Sequence, residues 1–139
     1  MSRSLVFALA TTVLALTLSA PPAQAQDFIL TDLSDPVLKD LEHDIDDGVT
    51  VNEPVAISAI VVNGEVFAKQ VTVVIETRDS NGFTVDVQLQ NGTVFGESYA
   101  EFSTLWRPQE AGMYELRAYV ISNTQPLTGV KTSQVEISN

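Results

Sequence analysis

The 139-residue sequence contains no cysteine. Disulfide staples, each worth ~2–4 kcal/mol in secreted domains, are therefore excluded. So are a lipidated N-terminal cysteine, a thiol nucleophile and thiolate metal sites. Histidine is nearly absent too, with His43 alone. A structural zinc or copper site gathers several imidazole or thiolate ligands, so only a mixed His/carboxylate site, or one shared between chains, stays open. A Ser–His pair would have to use His43, and no G-x-S-x-G elbow occurs. Basic residues are scarce, seven against 18 acidic ones, for a net charge of −11. Nucleic acid and anionic lipid both call for a basic patch, so neither is an expected partner. Long apolar runs are missing apart from Leu5–Leu18, which is too short for a good membrane span. No second run lies near the C-terminus, and no tail anchor is expected.

That first run has a different meaning. Arg3 is the only charge before Asp27, and Ser-Ala-Pro-Pro and Ala23-Gln24-Ala25 follow the apolar stretch. This is the layout of a secretory signal peptide, residues 1–25, with an A-x-A cleavage signal. The competing reading is an uncleaved anchor helix, which the two prolines oppose. Cleavage after Ala25 leaves 114 of the 139 residues, with six basic and all 18 acidic side chains, a net charge of −12. That is one domain's worth of chain, long enough to bury a core, and its charge suits a soluble secreted protein.

Composition divides the remainder. Residues 26–48 form an acidic N-terminal segment with a first strand, and residues 49–139 form the main domain. Residues 27–53 hold nine acidic residues and one lysine, whereas Val, Ile, Thr, Tyr and Phe dominate from Pro54 onward. Asp35 to Glu42 has room for one helical turn, with Pro36 at its first position. Beyond it the apolar residues alternate as in half-buried strands. Val55, Ile57, Ala59 and Val61 share one face; Val71, Val73 and Ile75 another; Phe83, Val85, Val87 and Leu89 a third, which is the cleanest. Ala100, Phe102, Thr104 and Trp106 follow, then Tyr114, Leu116, Ala118 and Val120, then Val135 and Ile137. Asn63-Gly64, Ser80-Asn81-Gly82 and Asn91-Gly92 read as turns, because Asn and Gly tolerate positive φ. Six or seven short strands at this spacing predict an all-β, two-sheet antiparallel sandwich, with a barrel as the alternative.

The segment Thr104–Ser122, TLWRPQEAGMYELRAYVIS, is the most patterned. Trp106 ends a strand, Pro108 stops it, and Glu110-Ala111-Gly112 makes the crossing to the other sheet. Tyr114, two residues before Leu116, is placed like the tyrosine corner of Greek-key sandwiches. Together with Val51-Asn52-Glu53-Pro54, Val61-Val62-Asn63-Gly64 and Val135-Glu136-Ile137, this run resembles the immunoglobulin-like domains of prokaryotic, archaeal-type secreted and surface proteins. Those include the CARDB and fibronectin-III-like types. The resemblance spans about 90 residues, Gly48 to Ile137, and implies a Greek-key sandwich of about seven strands. Its motifs hold no catalytic residues, and such domains serve mostly as spacers, adhesion modules or partner-binding modules.

Three features invite functional readings. The cluster from Asp40 to Gly48 offers Asp44, Asp46 and Asp47 as Ca²⁺ ligands, since hard cations take carboxylate and carbonyl oxygens. Counted from Asp44, the EF-hand positions for Gly and Glu hold Val49 and Val55, so it is not an EF-hand; the competing reading is a solvated acidic linker. Asn91-Gly92-Thr93 is an N-glycosylation sequon. Met113, Tyr119 and Ile121 point away from the core face, as a docking patch or as a surface covered by another segment. No enzyme and no cofactor, other than possible Ca²⁺, is expected. The sequence therefore suggests a secreted, non-catalytic module for protein binding or adhesion at the cell envelope. One alternative is a filament or surface-layer subunit in which Asp27–Leu33, with its Phe28-Ile29-Leu30, adds to a neighbour's sheet. The other is a Ca²⁺-responsive binding module.

Overall fold

The computed structural model describes residues 31–40, 48–122 and 125–139. The expected leader, Phe28-Ile29-Leu30, His43, Asp44, Asp46 and Asp47 lie outside the described residues. Ten strands follow in chain order: β1 (Thr31–Leu33), β2 (Val37–Lys39), β3 (Val49–Thr50), β4 (Val55–Asn63), β5 (Lys69–Arg78), β6 (Thr84–Val94), β7 (Ser98–Trp106), β8 (Gly112–Ser122), β9 (Gln125–Pro126) and β10 (Lys131–Ser138). The seven expected strands are β4 to β8, β10, and β1 and β2 taken as one interrupted edge strand. β3 and β9 are two-residue additions.

The smaller sheet is built around β4, which pairs with β7 on one side and with β1 and β2 on the other. The larger sheet runs β3-β10-β8-β5-β6, with β9 beside β8. Among the described residues only β3–β10 is parallel. The alternating residues of β4, β5, β7 and β8 meet between the sheets. Val55, Ile57, Ala59 and Val61 from one side face Val73, Ile75, Leu116, Ala118 and Val120 from the other, with Leu33, Val49 and Ile137 closing the ends. At about 1.5–3 kcal/mol for each fully buried aliphatic side chain, this single core substitutes for the absent disulfides.

The patterned segment behaves as read. Trp106 and Tyr114 stack edge to face with ring centroids 5.1 Å apart. The Tyr114 hydroxyl donates to the Glu110 carbonyl at 2.9 Å, closing a tyrosine corner. Gly112, at φ 144, carries the chain from one sheet to the other, where a side chain would be strained. The Ser80-Asn81-Gly82 turn joins β5 to β6, with Gly82 at φ 83 and the Asp79 carboxylate accepting from the amides of Asn81 and Phe83.

Three expectations are corrected. Asp35–Glu42 begins no helical turn: Val37–Lys39 is β2, and no helix occurs among the described residues. Pro36 is buried at the break between β1 and β2, its carbonyl accepting from Ser133, while Ser34 spans the gap by bonding both backbone groups of Ile60. An isolated helical turn is weak, and an available sheet edge outcompetes it.

Asn91-Gly92 is not a turn either. β6 runs straight through it, with Asn91 opposite Thr72 and Gly92 opposite Val71. A Cβ on Gly92 would lie 2.6 Å from the Phe102 ring of the other sheet, so this glycine makes room for an aromatic.

The third correction is the direction in which β6 faces. Val73 and Ile75 are in the core, and their partners across the ladder are Gln90 and Gln88. The polar side of β6 therefore faces inward, while Phe83, Val85, Val87 and Leu89 are exposed. The smaller sheet ends at β7, so the inner side of β6 meets a strand edge. Gln88 reaches it, its amide donating to the Leu105 carbonyl at 2.6 Å.

Candidate functional site

Among the described residues no three His, Cys, Asp or Glu side chains come together as a metal site, and no helix is long and apolar enough to cross a membrane. The Ca²⁺ candidates Asp44, Asp46 and Asp47 lie outside the described residues. Asn91 is exposed on the outer face of the larger sheet, its amide oxygen accepting from the Thr72 hydroxyl at 2.6 Å. Of the strand expected to add to a neighbour, Thr31–Leu33 is already paired with its own β4.

A cleft of about 330 Å³ opens where Trp106 and Tyr114 approach Val85, Asp86 and Gln88. Three of its polar groups serve the fold. Asp79 organises the β5–β6 turn, Asp86 accepts from Gln88, and Glu110 receives the tyrosine corner.

The outer face of the larger sheet carries a mixed surface. Leu89, Val74 and Tyr119 form one cross-strand row, and Val87, Glu76 and Arg117 the next. Glu76 is buried and pairs with Arg78 at 2.8 Å and with Arg117 at 3.6 Å, and it also accepts from the Thr84 hydroxyl. Desolvation pushes the Glu76 carboxyl pKa up. The hydrogen bonds from Arg78 and Thr84 and the charges of Arg78 and Arg117 outweigh it, leaving the pKa below its ordinary value. Met113, Tyr119 and Ile121 do lie on this outer side, with Met113 exposed and the other two half-buried.

A strongly exposed apolar surface lies at one end of the sandwich, where the β4–β5 and β6–β7 loops meet. Val66, Phe67, Phe95 and Tyr99 are 69–77 % exposed there. Beneath them is Asn63, fully buried at the end of β4. Its side-chain amide nitrogen donates to the carbonyls of Phe67 (2.8 Å), Val94 (3.2 Å) and Phe95 (3.2 Å), and its oxygen accepts from the Glu65 amide at 3.1 Å. The Glu97 amide donates to the Glu65 carbonyl at 2.8 Å. A Cβ on Gly96 would fall 2.0 Å from the Val66 carbonyl oxygen, so the two loops lie backbone against backbone. One polar side chain and one glycine thus hold two loops in place while their aromatic rings project outward. The strand alternation does not mark these residues. The available signal was large apolar side chains inside segments with turn composition, Val66-Phe67 after Asn63-Gly64 and Phe95 before Gly96.

No family model matches the chain, and no curated protein does. Solved structures do match. The C-terminal domain of wzt superposes with a TM-score of 0.61 at 15 % identity, over 79 % of this chain and 74 % of that one. The CARDB domain of a Pyrococcus furiosus protein matches at 22 % identity and a TM-score of 0.55, over 78 % of this chain and 96 % of that domain. A crystal structure of the same domain, in complex with di-metal ions, matches at 19 % identity. A β-glucosidase from Erythrobacter marinus also matches, with a TM-score of 0.57 at 12 % identity, but this chain spans only 15 % of that enzyme's length. At these identities the likeness concerns architecture: the chain has the immunoglobulin-like sandwich fold seen in CARDB domains.

Proposed function

We propose that this chain is a secreted, non-catalytic immunoglobulin-like module that binds another protein at the cell envelope through its aromatic end. The observation that carries the reading is the exposure of Val66, Phe67 and Phe95 on two loops clamped by buried Asn63, with Tyr99 exposed at the start of β7. Exposed aromatics do not help the fold, and protein interfaces concentrate their energy in such side chains. Holding them rigid lowers the entropy lost on binding. The acidic balance of the chain turns nucleic acid and anionic membranes away. The commitment of Asp79, Asp86 and the Glu110 carbonyl in the cleft to a turn, a neighbouring glutamine and the tyrosine corner supports a module without chemistry of its own.

The test is a double substitution, Phe67→Ser with Phe95→Ser, in the full chain. Both side chains are exposed, so the urea midpoint followed by Trp106 fluorescence should stay near the parent's. Co-sedimentation with the native envelope fraction should fall at least tenfold. Equal retention of parent and variant would refute this assignment of the binding surface.

A further inference from the structure

Exposed sheet edges are hazards that proteins blunt with charge, proline, shortness or bulges. Three of the four lateral edges here are blunted. The β1/β2 edge is broken at Pro36 and bears Asp32, Asp35, Lys39 and Asp40. The β7 edge has Glu101 at its middle, paired with Lys39 at 2.6 Å. At the far side of the larger sheet β3 covers only Ile137 and Ser138, and the open stretch of β10 before them is charged at both ends, by Lys131 and Glu136. β6 is the exception. It is eleven residues long, forms the end of the larger sheet, and has no backbone partner on its other side among the described residues. Its only charge is Asp86, beside the bulge between Thr77 and Arg78, and residues 87–96 carry no charge at all. Its outward side chains, Val87 and Leu89, are 48 % and 58 % exposed.

We propose that β6 is a self-association edge. The β6 strands of two copies pair antiparallel about a two-fold axis and join their larger sheets into one. The partner is a second copy for two reasons on the strand itself. A chain of net charge −11 repels its own kind over most of its surface, and here β6 offers a long edge on which Asp86, near its start, is the one carboxylate. The pattern Val87-Gln88-Leu89-Gln90 is also self-complementary. With the axis at Gln88, Val87 meets Leu89 on the outer face; with the axis at Leu89, leucine meets leucine and Gln88 meets Gln90. At the axis each register sets apolar against apolar outside and amide against amide inside, with Asp86 opposite Gln90 in the first and Val87 opposite Asn91 in the second, as an isologous contact allows. This inference uses a different surface from the aromatic end and stands apart from the function proposed above.

The absence of cysteine makes the test clean. Single cysteines are placed in the full chain at positions 87 to 91 and, as a control on the charged β10 edge at the opposite side of the same sheet, by Thr132→Cys. They are oxidised with copper–phenanthroline in ~0.5 M salt, where screening lengths fall to a few ångström. Residues directly opposed across an antiparallel pair have Cα atoms about 4.5–5.5 Å apart, within disulfide reach. Cross-linking should peak at one or two β6 positions, at least tenfold faster than at Thr132→Cys. Sedimentation of the cysteine-free chain should show a concentration-dependent dimer, and Leu89→Lys should weaken it at least tenfold with Trp106 fluorescence unchanged. A monomer at all concentrations with no β6 preference would overturn the proposal. So would dimerisation of Leu89→Lys equal to the parent's, or β6 cross-links that form only after another protein is added.

Discussion

Asn63 is the residue whose removal should cost most for its size. Its nitrogen carries two protons shared among three carbonyls, and its oxygen accepts one amide, so about three hydrogen bonds depend on it. At about 0.5–1.5 kcal/mol each, Asn63→Ala should destabilise by about 2–4 kcal/mol. For a domain of this size that corresponds to a fall in Tm of roughly 8–16 °C. Asn63→Asp preserves shape but turns a carboxylate oxygen toward three carbonyls, and it should cost at least as much at neutral pH. The assay is urea unfolding followed by Trp106, the only tryptophan and a buried one. Amide exchange supplies the local readout. The Glu65 amide, bonded to Asn63 itself, and the Glu97 amide, which ties the two loops, should lose protection before the β4–β7 ladder does. A cost below about 0.5 kcal/mol for Asn63→Ala, or an Asn63→Asp variant as stable as the parent, would refute the clamp and with it the rigidity of the aromatic end.

Three further predictions follow from other contacts. Gly92→Ala should destabilise by about 1–3 kcal/mol because its Cβ meets the Phe102 ring, and adding Phe102→Leu should recover part of that loss in a double-mutant cycle; additive effects would reject the contact. Tyr114→Phe should lower stability by about 0.5–1.5 kcal/mol, the worth of the corner hydrogen bond, and a measured loss of partner binding without that loss would contradict its structural role. The pKa of Glu76 is lowered on folding, so its ion pairs add stability above the ordinary carboxylate pKa of 4.5, and that stability is lost as pH falls through the folded value. The stability gap between parent and Glu76→Gln should therefore be largest near neutral pH and shrink on acidification below 4.5. A gap independent of pH in urea midpoints would remove the electrostatic account.

Much of the architecture was legible without coordinates. Period-two alternation in β4, β7 and β8 identified Ile57, Val61, Phe102, Trp106, Leu116 and Val120 as core, because a strand packed on one side must segregate its side chains. The tyrosine corner was equally readable, since its chemistry is local to Glu110–Leu116. β6 shows the limit. Its alternation announced two unlike faces, yet which face turns inward depends on what lies opposite, and opposite β6 the smaller sheet has already ended. The dipeptide Asn-Gly shows the same limit, marking the end of β4 at Asn63 but the interior of β6 at Asn91. In one case a buried amide ties two loops, and in the other a missing side chain admits a ring from the other sheet.

Local composition could settle the fold class and the inward residues of strands packed on both neighbours. The aromatic end and the unguarded edge belong to tertiary structure. Phe67 and Phe95 are 28 positions apart. They meet because the β4–β5 and β6–β7 crossings fall at the same end of the sandwich, and because backbone carbonyls brought there must find a donor, which Asn63 supplies.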